Sequence, residues 1–440
     1  MSRRVKVSPL PRDDQTNGWF LTMPGGPPPP PRVLTGEQKA DWLVIGAGYN
    51  GVAAARRLAE LRPHQRIVLV EAQRVGQGAA GRNAGYAIDL PHLVSVDDLE
   101  RGRRQMKLNR IAIRHMDEIV RTFQVNCEWA QRGKIHAAAT PAGARHIEAF
   151  ARDLDKLGEP YTMLDAAACE RRLGIGYYRM GIFTAGTYLM QPAALIRGLA
   201  GALPQNVDLY EDSPVTAVTY GTPHRAETPQ GAVTASGLLL ATEAFLPSFG
   251  VLTDRMFASF TFGSLTRPLD EDEVRALGGE GDWGVIPAMR GGTTLRYTRS
   301  RRILVRNVVK YAPEVYFGQD TLKEVRKHHE RSFRARFPML PKVTLQHTWG
   351  GSLGLSRNTG LVVQKLGDNL FAAGCQNGVG VAKGTITGRA AAEFALGENS
   401  ELVSDILTFD APQRLPPKPI LAIGARLRIA KAQWDAGAEH

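Results

Sequence analysis

Residues 43–51 read Leu43-Val44-Ile45-Gly46-Ala47-Gly48-Tyr49-Asn50-Gly51, and this stretch decides the fold. The three leading apolar residues have the character of a strand buried on both faces. The glycines follow at G-x-G-x-x-G spacing, and Val52 to Leu61 continues with Ala, Arg, Leu and Glu, all good helix formers. Arg62-Pro63-His64 stops that helix, and Ile67-Val68-Leu69-Val70 forms a second buried strand closed by Glu71. The result is a complete β-α-β unit. Its glycines serve a tight turn, close backbone approach to a pyrophosphate, and close helix–strand packing. The helix start offers free N–H groups and a positive dipole end to phosphates. Glu71, twenty residues past Gly51, can accept hydrogen bonds from ribose hydroxyls. The run Gly46, Gly48, Tyr49, Asn50 and Gly51, with Glu71, is therefore expected to hold a dinucleotide. The acidic residue argues against a 2′-phosphate, while NAD and FAD both stay open.

The bulk properties set the frame. A chain of 440 residues can bury a sizeable core in one large or two interleaved domains. No apolar run approaches the length of a membrane span, so neither a span nor membrane association is expected. The start, Met1-Ser2-Arg3-Arg4-Val5-Lys6, is basic but lacks a following apolar segment, so it reads as neither a secretory nor a twin-arginine signal. Cys127, Cys169 and Cys375 are widely spaced and suggest neither a disulfide framework nor a metal site. A reducing cytoplasm is the expected location. The net charge of +12 comes from dispersed Lys and Arg with no nucleic-acid-binding motif. No nucleic-acid partner is expected, and the charge reads as a solvated surface or a basic rim for an anionic ligand.

Along the chain, residues 1–39 read as an extended arm. Gly25-Gly26 and Pro27 to Pro31 favour polyproline II over helix or central strand, and a ligand for a proline-recognition module is the sharper alternative. Helices are expected over 97–122, 141–157, 193–203, 321–337 and 385–396. Strands are expected over 207–210, 214–220, 237–242, 293–298, 302–309, 361–363 and 370–373. Nucleotide-binding pieces thus bracket a β-rich middle, so the two domains are interleaved.

A second glycine-rich segment follows the first. Glu71-Ala72 leads through Arg74 to Gly78-Ala79-Ala80-Gly81-Arg82-Asn83-Ala84-Gly85, too rich in glycine for a helix or strand interior. Such a loop makes sense if it wraps a ligand close to its backbone. It resembles the flavin-wrapping segment of the D-amino-acid-oxidase-like FAD-dependent oxidoreductases, most of all the γ-glutamylputrescine oxidoreductase-like branch. Further blocks fit that resemblance: Gln191-Pro192 before a helix, Glu211 to Val215 opening a strand, Leu239 to Phe245 ending one, and Phe371 to Gly380 leading into the last helix. It spans roughly residues 35–435. Ala80 replaces the family's usual serine, and Glu243 replaces an asparagine.

The resemblance implies an α/β, Rossmann-like FAD-binding domain interleaved with an α+β substrate domain built on an antiparallel sheet. The implied division is 1–39 arm, 40–95 FAD domain, 96–190 substrate or cap domain, 191–250 FAD domain, 251–345 substrate domain, 346–400 FAD domain, and 401–440 closing segment. It implies FAD contacts from Gly46, Gly48, Tyr49, Asn50, Gly51, Glu71, Ala72 and Arg74. Gly78, Ala79, Ala80, Arg82, Asn83, Ala84 and Gly85 follow from the second loop. Val215 is expected at the adenine, with Ala241 nearby. Gly374, Asn377, Gly378, Val379 and Gly380 are expected at the flavin's pyrimidine edge, where a helix N-terminus favours negative charge.

The implied chemistry is removal of hydride from the carbon next to an amine nitrogen, giving an imine, with oxygen or another acceptor taking the electrons. The cofactor carries that chemistry, and the protein aligns the substrate. No acid–base pair can be named. Substrate-contact candidates are Tyr86, Arg296, Arg306, Arg357 and Gln376. Tyr86 either faces the ring or packs, and one of the arginines is expected to clamp a carboxylate. His92 is a candidate base near the flavin loop. Cys375 is read as a buried inert thiol, so FAD is expected to be non-covalent. No metal is expected. The tail, Pro416 to Trp434, is expected to pack on the FAD domain, with a membrane-surface helix as the alternative. Oxidation of a 2-hydroxy acid and a non-catalytic flavin-bound subunit remain the rival functions.

Overall fold

The computed structural model describes residues 2–91 and 98–440, and His92 lies outside the described residues. Two large sheets carry the molecule. In the first, the strands Gly231–Leu240, Gly36–Ile45, Ile67–Val70 and Val207–Tyr210 lie side by side and parallel. Leu370–Gly374 joins parallel to the C-terminal half of Gly231–Leu240, so that Leu240 meets both Ile45 and Ala372. The C-terminal ends of these strands therefore stand at one level, where an open α/β sheet binds its ligands. The helices Tyr49–Leu61 and Ala382–Ala395 follow two of them. Leu43, Val44, Val68, Leu69, Leu238 and Leu239 are fully buried, as strands covered on both faces require.

The second sheet has eight strands, in the order Leu345–Leu355, Phe257–Thr266, Ile303–Tyr311, Thr294–Tyr297, Trp283–Pro287, Lys134–Ala138, Met180–Thr184 and Thr162–Asp165. It is antiparallel except where Trp283–Pro287 runs parallel to Lys134–Ala138. Mixed α/β and α+β character is thus as the sequence implies, with that one parallel pair as the departure.

One boundary and two further features differ from the sequence reading. The strand Leu345–Leu355 pairs with Phe257–Thr266, so the second sheet continues past position 346. The N-terminal arm is not merely extended. Its Arg3–Lys6 pairs antiparallel with Ala217–Tyr220, and the short helix Gly18–Leu21, capped by Asn17, buries Trp19. Finally, the closing helix Lys418–Ala436 packs on the second sheet rather than on the first. Gln433 Nε2 donates to Val309 O at 3.4 Å, and Arg426 lies over the Tyr311 ring.

Candidate functional site

A cavity lies at the C-terminal ends of the parallel strands, lined in part by Gly46, Gly48, Tyr49, Asn50, Glu71 and Ala72. Gly46 has φ +99°, and a Cβ there would sit 2.8 Å from Ala241 O. A Cβ at Gly51 would sit 1.7 Å from Gly46 O. These two glycines let the turn close tightly against the helix start. The helix Tyr49–Leu61 has Gly48 as its N-cap and no side-chain cap, so its first N–H groups are left for a ligand. Glu71 accepts from Ala47 N at 2.7 Å and Gln73 N at 3.1 Å. Burial raises its carboxyl pKa against those bonds.

The second glycine loop forms the next stretch of wall through Gly78, Ala79, Ala80, Arg82 and Asn83. Its outer side is tied by donors from distant parts of the chain. Asn17 Nδ2 donates to Gly76 O at 2.9 Å and to Gly81 O at 3.3 Å. Trp19 Nε1 donates to Asn83 O at 2.9 Å, and Trp349 Nε1 to Arg82 O at 3.0 Å. The Arg82 guanidinium is held by Asp14 at 2.7 Å and by Gly350 O at 3.0 Å. Asp14 is partly buried, which works against its charge, but the bonds from Arg82 hold its pKa below the usual range. Pro9, Leu10, Pro11 and Arg12 of the arm also line the cavity, a contribution sequence reasoning missed. The signal for it was Asn17-Gly18-Trp19, a capping residue beside an isolated tryptophan.

Val215 and Ala241, the latter against the Gly46 turn, also line the cavity, as do Gln376, Gly378 and Gly380. The helix Ala382–Ala395 begins here, again without a side-chain cap. Gln376 Nε2 donates to Asn50 Oδ1 at 3.1 Å, joining the two helix starts. Glu243 lines the same wall. Its Oε1 accepts from Gln376 N at 3.0 Å, and burial pushes its pKa up to about 7. Thr242 Oγ1 and Glu243 Oε2 are buried without a hydrogen-bond partner among the described residues. Uncapped helix starts, a glycine-rich wall and orphaned oxygens fit a dinucleotide that supplies both phosphates and hydroxyl donors.

Several expected contacts lie elsewhere. Arg74 reaches Pro29 O and Glu211, its Nε being 3.6 Å from Glu211 Oε2, so it fastens the proline run instead of a cofactor. Asn377 caps its own loop, donating to Gly360 O at 3.0 Å and accepting from Ser356 N at 2.9 Å. Gly51, Ala84, Gly85, Gly374 and Val379 are not part of the lining. Tyr86 is buried and donates to Leu295 O at 2.6 Å, which makes it a tie between the flavin-type loop and the second sheet. Cys375 is fully buried, with its thiol pushed up to about 12 by burial.

The three arginines separate cleanly. Arg296 is fully buried and committed, donating to Met190 O and to Gly85 O at 3.2 Å, with Asp282 at 3.6 Å and Glu128 at 3.8 Å. It is a strut behind the glycine loop, not a free clamp. Arg357 is exposed and outside the cavity. Arg306 is half-buried, opposite Gly263 and Thr294 in the sheet. Its alternation puts it on the face of Leu304, which packs with Trp19, Trp349 and Ala84 beside the glycine loop. Among the described residues none gives the Arg306 side chain an ion pair or hydrogen bond; Tyr86 is near enough to act on its charge, and Arg306, like Arg357, stands outside the cavity lining itself. No group of three or more His, Cys, Asp or Glu side chains among the described residues could hold a metal ion.

Comparison with known proteins agrees with this geometry. The chain is 27% identical over 398 residues to a probable oxidoreductase OrdL of Rhizobium meliloti (strain 1021), covering 87% of this chain and 89% of that protein. It is 26% identical over 399 residues to the gamma-glutamylputrescine oxidoreductase of Escherichia coli (strain K12), covering 88% and 89%. Its fold is similar to that of glycine oxidase from Geobacillus kaustophilus, with TM-score 0.70 at 16% identity over 86% of this chain and all of that one. L-amino acid deaminase from Proteus vulgaris is also similar, with TM-score 0.65 at 14% identity over 89% of this chain and 97% of that one. The family model for FAD dependent oxidoreductases matches residues 41–394, and the chain belongs to that family.

Proposed function

We propose that this enzyme oxidises a small amine that carries a carboxylate, an amino acid or a close relative, at the carbon next to nitrogen. The observation that carries this reading is Arg306: a half-buried arginine on the sheet face that packs beside the glycine loop, without a counter-ion among the described residues. Burial lowers its pKa, yet a guanidinium stays charged at any ordinary pH. An unpaired charge drawn partly out of water carries a cost, and a bidentate carboxylate would relieve it while fixing the substrate's orientation. The substrates in the names of the two structural neighbours and of the Escherichia coli relative support an amine or amino acid.

FAD, when bound, supplies the acceptor for the substrate's hydride. The chain's own part is to bind and orient. The turn at Gly46 and Gly48 and the N–H groups of Tyr49 and Asn50 would hold the pyrophosphate, and Glu71 would accept from ribose hydroxyls. Val215 would meet the adenine. Gly78 to Ala80 and Asn83 would flank the ring system, and Gln376, Gly378 and Gly380 would bring a second helix start to its edge. Glu243, poised near neutrality, can hold a proton at Oε2 on the same wall. We take the FAD as non-covalent, because Cys375 packs in the apolar core under the first sheet. Three buried, unpaired thiols fit a cytoplasmic location.

The test is anaerobic mixing of the FAD-loaded enzyme with matched panels of amines, amino acids and 2-hydroxy acids, read as loss of the flavin's visible absorbance. An amino acid should bleach it fastest. Bleaching by a hydroxy acid alone would replace this reading with hydroxy-acid oxidation. No bleaching by any panel would favour a non-catalytic flavin-bound subunit.

A further inference from the structure

The closing helix Lys418–Ala436 has two apolar faces, and only one of them is covered. Leu421, Ala425, Ile429 and Ala432 are partly buried on the side that meets the second sheet. Gln433 on that side bonds to Val309 O, and Gly291 lies against Ala432. On the opposite side Ile420, Ile423, Leu427 and Trp434 are 62%, 60%, 66% and 86% exposed. Spacings of three, four and seven residues place these four on one stripe. They account for four of the nine large apolar side chains exposed among the described residues, so this is a patch and not a scatter.

Charge decides what covers it. Arg426 borders one edge of the stripe, and Arg428 and Lys431 border the other, with Lys418 at its start. The helix's one acid, Asp435, is paired with Lys431 at 2.8 Å. A second copy docking about a two-fold axis would bring these cations against their own mates, on a chain of net charge +12. That arrangement is repulsive, and the patch calls for an anionic partner. An exposed apolar stripe flanked by long cationic side chains matches a surface that is apolar at depth and negative at its rim. Ile and Leu can enter the acyl boundary while Arg and Lys reach the headgroups, and tryptophan favours that interface. No helix among the described residues is long and apolar enough to cross a membrane, so the contact is peripheral.

We propose that the Lys418–Ala436 helix docks this enzyme on an anionic lipid bilayer through the Ile420, Ile423, Leu427 and Trp434 stripe. This reverses the expectation that the tail is merely packed, and it is independent of which substrate the enzyme oxidises.

The experiment is co-sedimentation of the full-length, FAD-loaded enzyme with vesicles of phosphatidylcholine, with or without phosphatidylglycerol. Binding should be at least roughly tenfold stronger on the anionic vesicles and should weaken with added salt. The Ile423→Glu/Leu427→Glu double variant alters only exposed side chains, so it should keep its flavin spectrum and melting temperature and lose vesicle binding. The Arg426→Gln/Arg428→Gln variant should lose the preference for anionic lipid. Three results would overturn the proposal: no binding to either vesicle, unchanged binding by the double Glu variant, or a wild-type dimer without vesicle binding that the double Glu variant converts to monomer. The last would assign the stripe to a second copy, and failure to bind vesicles at all would return it to a protein partner.

Discussion

Two glycines of the first turn make opposite predictions, and together they locate the cofactor. A Cβ at Gly51 would lie 1.7 Å from Gly46 O, whereas a Cβ at Gly48 would find nothing nearer than Ala80 Cβ at 3.8 Å. Gly48 has φ −78° and ψ −174°, a conformation open to alanine. Gly51→Ala must therefore push the helix start away from the strand, at a cost of about 1–3 kcal/mol or more from overpacking. Gly48→Ala clashes with no protein atom, so the apoprotein should lose no more than about 1 kcal/mol. Its methyl would instead project into the space assigned to the pyrophosphate. The same overpacking range, applied to the ligand, weakens FAD roughly 10- to 100-fold. The assay measures the urea midpoint of each apoprotein and FAD affinity by quenching of flavin fluorescence. Gly51→Ala should lose both stability and FAD, and Gly48→Ala should lose FAD alone. If Gly48→Ala binds FAD like the parent, the pyrophosphate does not lie over that turn and the site assignment fails.

Three further outcomes follow from the same geometry. Burial raises the Glu243 carboxyl from 4.5 to about 7, so its proton is retained on folding; its stabilising share is full below pH 4.5 and is lost as pH rises through about 7, on the order of 3 kcal/mol. Urea melts should show that Glu243→Gln gains on the parent between about pH 5 and about pH 8, and a constant difference would refute the assignment. Trp19→Phe removes the donor to Asn83 O, which should cost about 1 kcal/mol and speed FAD release, read by stopped-flow displacement. Cys375→Ala should leave yellow protein that, like the parent, frees all its flavin on acid precipitation; flavin retained by the parent's precipitate alone would show a covalent link.

The dinucleotide turn was fully legible because its glycines answer to local sterics: strand, turn, helix and acid all lie within residues 43–71. The second loop was legible as irregular backbone for the same reason, and it lines the cavity. What the chain order hid was the scaffolding behind that loop. Asn17, Trp19, Trp349 and Arg296 converge on its carbonyls from positions far apart in sequence, and no periodicity records such convergence. Arg296 and Arg306 looked equivalent as cations on neighbouring strands. Only the fold shows that Asp282 and Glu128 stand near one and that the other is left without a partner. The tail was misplaced because its two apolar faces look alike in sequence, and only packing against Ile303–Tyr311 tells inner from outer.

The central claim, that Arg306 receives the carboxylate of an amine substrate, is tested most directly by a cycle of two enzymes and two substrates. The rate of anaerobic flavin bleaching is measured for the parent and for Arg306→Met, each with an amino acid and with the amine that lacks its carboxylate. The parent should favour the amino acid by roughly 100-fold, about 3 kcal/mol for a charge-assisted bidentate pair, and Arg306→Met should lose most of that preference while still reacting with the amine. A preference for the carboxylate that is equal in both enzymes would contradict the account.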